Sequence, residues 1–272
     1  MSFNFARTQS PLQICLLVAA ALALAGCAKD RAETTGTISP RAAANGPADN
    51  HARVEQIGEQ FRKNPADPNL AVAYAQALRQ NGQQAQAAAV LQQASIKHPK
   101  NQAVLGAYGR ALADNGQYQQ ALDVLARAHT PDRPDWRILN AQGTVLDQLN
   151  RHTEARRYYN TALKIAPNEP SVLSNLGLSY LLTKDLAKAE ATLRQAAAQP
   201  NADPKVRQNL ALVLGLEGKY TEAEKIAAGD LPHDQAEANI AELRAMVAQR
   251  KQQDYQQNTW QKLKAQKTAS NG

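Results

Sequence analysis

The chain has 272 residues, 43% hydrophobic and 5% aromatic, enough for one extended domain with tails. Its net charge of +7 suits anionic lipid headgroups or an acidic partner. The alternative, since the charge is dispersed apart from Lys251 and the stretch from Lys262 to Lys267, is a solvated helical surface. No basic groove with periodic base-reading positions emerges, which excludes a nucleic-acid-binding helical repeat, and His51, His98, His129, His152 and His233 fall without metal-ligand spacing.

Arg7 precedes an apolar run from Leu12 to Ala25, broken only by Gln13. That run is too short to span a bilayer and suits the core of a secretory signal covering residues 1–26. It ends in Leu24-Ala25-Gly26-Cys27, which resembles a bacterial lipobox. The small residues let a peptidase approach, and the thiol supplies the nucleophile for a diacylglycerol. The resemblance implies that Cys27 becomes the N-terminus and carries three acyl chains. Two membrane signals already hold a protein stably, so three imply durable anchoring. Ala28 and Lys29 follow without an aspartate retention signal, which by resemblance favours the periplasmic face of the bacterial outer membrane. Cys15 leaves with the signal, so the remaining chain has no cysteine pair for a disulfide. Loss of Arg7 lowers the net charge from +7 to +6. The covalent lipid is the only non-protein group expected; no cofactor or metal is.

Residues 27–50 have Ile38 as their only large apolar side chain and read as a flexible tether. Such a segment spans roughly 25–30 Å root-mean-square, by coil scaling of about 5–6 Å times the square root of length. Residues 51–67 follow as an N-terminal capping segment. In it Val54 to Lys63 form an amphipathic helix that ends at Asn64-Pro65.

Ala87, Ala121, Ala155, Ala189 and Ala223 then recur at intervals of 34 residues. That period resembles the tetratricopeptide repeat, a pair of antiparallel helices that must stack on its neighbours to bury its apolar face. It implies an all-α solenoid, a right-handed superhelix of helical hairpins with terminal capping helices. Five repeats occupy 68–237, as 68–101, 102–135, 136–169, 170–203 and 204–237. Ala75, Gly109, Gly143, Gly177 and Ala211 hold one small-residue position on the first helix, and the aligned alanines hold its counterpart on the second. Small side chains at both let the helices of a hairpin approach closely. Gly82, Gly116 and Gly218 stand where a left-handed residue ends the first helix. Asn150 tolerates that conformation, while Lys184 departs from the pattern and predicts a strained or different turn. Pro68, Pro170 and Pro204 suit first turns. Residues 238–272 form a C-terminal helix and polar tail. The helix, from His233 onward, carries Ile240, Leu243, Met246 and Val247 at helical spacing.

Catalysis finds no support, since the chain has no phosphate loop, serine elbow or HExxH helix. The chain is expected to be a non-enzyme without a small-molecule substrate. In this repeat class the first helices line the concave face. The register places Val72, Gln76 and Arg79 there, then Gly106, Arg110 and Asp114, then Arg137, Asn140, Thr144, Asp147 and Gln148. Ser174, Leu178, Leu181 and Leu182 follow from the fourth repeat, and Gln208, Leu212 and Leu216 from the fifth. Asn175 and Asn209 take the position that contacts bound peptide backbone. The N-terminal half of this groove is polar and suits an extended peptide; the C-terminal half is apolar and suits an amphipathic helix. The alternative for those leucines is cover by the protein's own terminal helix. Of a basic clamp for a terminal carboxylate, Arg110 is the one resembling member. Trp136 is expected to pack in the core, and Trp260 to be a partner contact, a membrane-surface contact or a weakly packed helix residue.

Asp135-Trp136-Arg137-Ile138, the segment from Asn175 to Tyr180, that from Arg207 to Leu216 and that from Ala236 to Leu243 resemble a narrower family. With the lipobox, they are similar to the tetratricopeptide lipoproteins of the Tad (tight-adherence, Flp pilus) secretion machinery, of the TadD pilotin type. That resemblance implies an outer-membrane adaptor that helps the pilus secretin localise, assemble or remain stable through protein–protein binding. The other reading is a periplasmic repeat lipoprotein in outer-membrane protein assembly or cell-wall enzyme recruitment.

Overall fold

One hydrogen-bonded turn recurs at the middle of every repeat. In each, the backbone N–H two residues past the first helix's C-cap donates to a carbonyl five residues back. The pairs are Gln83 to Leu78, Gln117 to Leu112, Arg151 to Leu146, Asp185 to Tyr180 and Lys219 to Leu214, at 2.8–3.0 Å. The residue inside each turn has positive φ: Gly82 at 75°, Gly116 at 76°, Asn150 at 60°, Lys184 at 62° and Gly218 at 86°. The fourth repeat therefore uses the same turn as the others. Lys184 accepts the left-handed strain because the hydrogen bond from the Asp185 amide to the Tyr180 carbonyl closes the turn around it.

The computed structural model describes residues 47–270, which hold twelve α-helices and no strand beyond an isolated bridge between Thr130 and Arg133. The signal segment 1–26, Cys27 and the tether up to residue 46 lie outside the described residues. The described residues divide into two compact units, one up to Ser179 and one from Tyr180 onward.

In the first unit α1 (Pro47–Lys63) precedes the hairpins α2 (Pro68–Gln80) with α3 (Gln84–Lys97), α4 (Gln102–Asp114) with α5 (Tyr118–Ala126), and α6 (Trp136–Gln148) with α7 (His152–Ile165). The helix α8 (Pro170–Leu182) opens here and ends in the second unit. The first helix begins at Pro47, so residues 47–50 belong to it and not to the tether. It caps the first hairpin by burying Val54 and stacking Phe61 on Tyr74, ring centres 5.4 Å apart. Side-chain oxygens start the next helices: Asp67 accepts from the Asn69 amide at 2.8 Å, Asn101 from Val104 at 3.1 Å and Asp135 from Arg137 at 2.7 Å. Leu78, Leu91, Leu112, Leu125, Leu146 and Tyr159 are fully buried, each stabilising by about 1.5–3 kcal/mol. A Cβ on Gly143 would lie 2.5 Å from the Tyr159 ring, and one on Gly109 2.5 Å from Leu125 Cγ. The small-residue positions are thus occupied by the partner helix. The helix α5 is short because Pro131 and Pro134 follow; prolines disfavour helical geometry in the preceding residue and donate no N–H.

The second unit contains the end of α8, then α9 (Leu186–Ala197), the hairpin α10 (Pro204–Leu216) with α11 (Tyr220–Ala227), and the long α12 (His233–Ser270). Leu193, Leu210, Leu214 and Leu243 are fully buried. The fifth repeat's second helix stops at Ala227, so the boundary drawn at 237/238 falls inside α12. That helix buries Ala236, Asn239, Ile240 and Leu243 in its first three turns, and a Leu243 methyl fills the space where a Gly215 Cβ would stand. From residue 248 to 261 it is solvent-facing, with Tyr255 and Trp260 exposed. An ion network joins α9 to the next hairpin: Glu190 accepts from Arg194 and Lys219, both at 2.7 Å, and Arg194 also reaches Glu222 at 2.7 Å.

Candidate functional site

The first unit carries a cleft of about 400 Å³, walled by the first helices of successive hairpins. Its lining includes Arg79, Arg110, Asp114, Trp136, Arg137, Asn140, Thr144 and Ser171. Arg79 Nε donates to Asp114 across this wall, an ion pair between equivalent faces of α2 and α4. Arg110 lines the same cleft and has no carboxylate within ion-pair distance among the described residues. Desolvation, then the neighbouring Arg79, lowers its pKa; Asp135 and Asp114 oppose that shift. The guanidinium of Arg137 stacks 4.4 Å above the Trp136 ring, and Trp136 is half-buried at the cleft rim, not closed in the core. Asn175 donates its amide to Asn140 Oδ1 at 3.0 Å, and more weakly to Thr144 Oγ1 at 3.5 Å. With its oxygen engaged, the Asn140 amide keeps both hydrogens for a ligand.

Five residues of the sequence-derived groove are enclosed instead: Gly106, Asp147, Ser174, Leu181 and Leu212. Asp147 is only 5% exposed and is the acceptor of a buried cluster. Tyr159 Oη donates to Oδ2 at 2.9 Å, Ser179 Oγ to Oδ1 at 2.9 Å, and His152 Nδ1 stands 2.8 Å from Oδ1. A buried carboxylate persists because these donors replace its water, so Asp147 fastens α6 to α7 and α8 and does not serve a ligand. Burial first, and the Asp147 charge second, push the Tyr159 pKa well above its usual value, so the phenol stays a donor. Ser174 is likewise buried. Leu178 remains half-buried.

A second cleft, of about 380 Å³, lies wholly in the second unit, between α10 and α12. It is lined by Lys205, Gln208, Asn209 and Leu212 on one side and Asn239, Ile240 and Leu243 on the other, with Leu231 at its end. The terminal helix therefore forms a wall of this apolar cleft, standing where the first helix of a further repeat would stand. Leu212 and Leu181 are 7% exposed, whereas Leu182 and Leu216 are partly exposed. The structure thus gathers Arg110, Asn140, Thr144 and Asn175 in one place and Gln208, Asn209 and Leu212 in another. The sequence offers the terminal helix, with Ile240 and Leu243, as the alternative cover for the groove leucines, and that helix walls the cleft beside Leu212. Asn239 is the lining residue of that helix that sequence reasoning missed. It also missed that Arg79 and Arg137 join Arg110, a pattern readable from their twelfth, second and ninth repeat positions. Trp260 sits on the exposed part of α12.

Residues 78–143 and 140–204 each match a family model described as tetratricopeptide repeat. No curated protein matches the chain. Among solved structures it is similar to TTC0263, a thermophilic tetratricopeptide-repeat protein of Thermus thermophilus. There 19% of residues are identical over 75% of this chain and 99% of that one, with a TM-score of 0.56. It is also similar to the APC/C hetero-tetramer Cut9–Hcn1, at 14% identity and a TM-score of 0.59, over 89% of this chain and 47% of that one. These likenesses show the fold alone. Hairpins, period and matches together define an all-α tetratricopeptide-repeat fold. Repeats of this kind bind protein or peptide partners, and proteins built from them are typically scaffolds without enzymatic activity.

Proposed function

We propose that this protein is a non-enzymatic adaptor held on the periplasmic face of the bacterial outer membrane by a lipid on Cys27. It acts as a pilotin or assembly factor for the Tad (Flp) pilus secretin. The observation that carries the anchoring is Leu24-Ala25-Gly26-Cys27 at the end of an apolar run, ahead of a protein-binding repeat array. The two clefts, one polar and basic, one apolar, support binding of protein segments; the family resemblance supplies the secretin as the segment's source. No cofactor or small-molecule substrate enters this account.

Affinity purification of the full chain from detergent-solubilised membranes tests the reading. The secretin and pilus assembly proteins are expected to accompany it. Recovery of barrel-assembly components or peptidoglycan hydrolases in their place would move the protein to outer-membrane assembly or cell-wall enzyme recruitment. Cys27→Ser should shift the protein from the membrane to the soluble fraction under either outcome, which tests the anchor separately.

A further inference from the structure

We propose that the cleft of the first unit selects an extended segment by the carboxylates of its acidic side chains, an inference that rests on the protein-binding reading above. Three arginines, Arg79, Arg110 and Arg137, line one cleft, against a single lining carboxylate, Asp114. That carboxylate is already engaged by Arg79. Asp135 stands near by, but its Oδ1 accepts from the Arg137 backbone amide as a helix cap. Arg110 and Arg137 therefore present guanidinium groups without a carboxylate partner among the described residues.

A partly desolvated cation with no carboxylate paired to it is unfavourable in the empty cleft, and a carboxylate that enters reduces that penalty. The depressed pKa of Arg110 agrees with the geometry. Around the cations the neutral groups also donate: Asn140 keeps its amide hydrogens because Asn175 occupies its oxygen at 3.0 Å. In an extended peptide, side chains on one face recur about 6.7 Å apart, so acidic residues at alternate positions reach the two guanidinium groups while the backbone meets Asn140. The guanidinium fork binds a carboxylate through two parallel hydrogen bonds, which distinguishes it from an amide of the same shape.

The test uses the full chain carrying Trp260→Phe, so that Trp136 at the cleft rim is the remaining fluorescent tryptophan. The probe is an N-acetylated, C-amidated octapeptide with glutamate at alternate positions; its counterpart replaces each glutamate by glutamine. The glutamate peptide should bind at least about tenfold more tightly, the ratio expected of charge-assisted hydrogen bonds, and weaken as salt is raised. Arg110→Gln and, independently, the exposed Arg137→Gln should each remove most of that ratio, by weakening the glutamate peptide far more than the glutamine peptide. Equal affinity for the two peptides, no binding of either, or unchanged selectivity in both variants would overturn the inference. Binding only when the peptide ends in a free carboxylate would also overturn it, by assigning the anion to a chain terminus. Loss of peptide selectivity with the secretin still co-purifying refutes this inference alone. Selective binding without a co-purifying secretin refutes only the pilus assignment.

Discussion

Tyr159 Oη donates a 2.9 Å hydrogen bond to Asp147 Oδ2, joining the two helices of the third hairpin through a carboxylate that is 5% exposed. The same carboxylate accepts from Ser179 at 2.9 Å, so one buried anion ties three helices of the first unit together. Removing a donor leaves a desolvated oxygen unmatched. Tyr159→Phe should therefore lower stability by about 1–3 kcal/mol in urea denaturation. Asp147→Ala should cost more, because it strands the donors of Tyr159, Ser179 and His152 together. Equal stability of Tyr159→Phe and the wild type would show that the bond contributes nothing net.

The turn at Lys184 makes a prediction of opposite sign. A non-glycine residue in the left-handed region costs about 1–2 kcal/mol, and glycine in the unfolded chain gives part of that back. Lys184→Gly should raise stability by about 0.5–1 kcal/mol, and Gly116→Ala should lower it by a similar or larger amount. Thermal melts of the two variants check both signs.

Close approach sets a third expectation. A methyl on Gly143 would stand 2.5 Å from Tyr159 Cε1, and the Tyr159 ring is fixed by its bond to Asp147. Gly143→Ala should cost about 1–3 kcal/mol by overpacking. A larger gap in the ring's surroundings would make the variant neutral, which the same melts would reveal.

Acid should weaken the second unit through Glu190. The hydrogen bond from Lys219 first, and then that from Arg194, hold this carboxyl below its ordinary value of 4.5, against opposing burial. A carboxyl whose folded pKa is depressed stabilises the fold above the unfolded value, and that contribution disappears as pH falls through the lower folded value. The melting temperature should therefore drop as pH goes from about 7 to about 3, and Glu190→Gln should flatten part of that decline. Parallel pH profiles for the two proteins would contradict the assignment.

Much of this architecture is legible in the chain. The 34-residue spacing of Ala87, Ala121, Ala155, Ala189 and Ala223 predicts the hairpins, and Gly82, Gly116 and Gly218 mark turns observed at positive φ. Lys184 misleads because local propensity argues against a conformation that the surrounding hydrogen bonds impose. Asp147 misleads for a related reason. Its repeat position faces the groove, but Tyr159 and Ser179 close over it, and nothing short of tertiary packing reveals those partners. The second cleft was half visible: Gln208, Asn209 and Leu212 follow from the register, whereas Ile240 and Leu243 come from a helix that keeps no repeat consensus. The charge of the first cleft was visible residue by residue but not as a set, because Arg79, Arg110 and Arg137 occupy three different repeat positions.

The proposed adaptor role is tested most directly by secretin multimers. In a strain expressing Leu178→Asp with Leu182→Asp from the native locus, the monomer should remain helical and membrane-bound, since both leucines are only partly buried. Heat-stable secretin multimers should then fall to the level of the deletion strain, with pili lost. Wild-type multimers and normal piliation in the deletion strain itself would contradict the assignment to pilus secretin assembly.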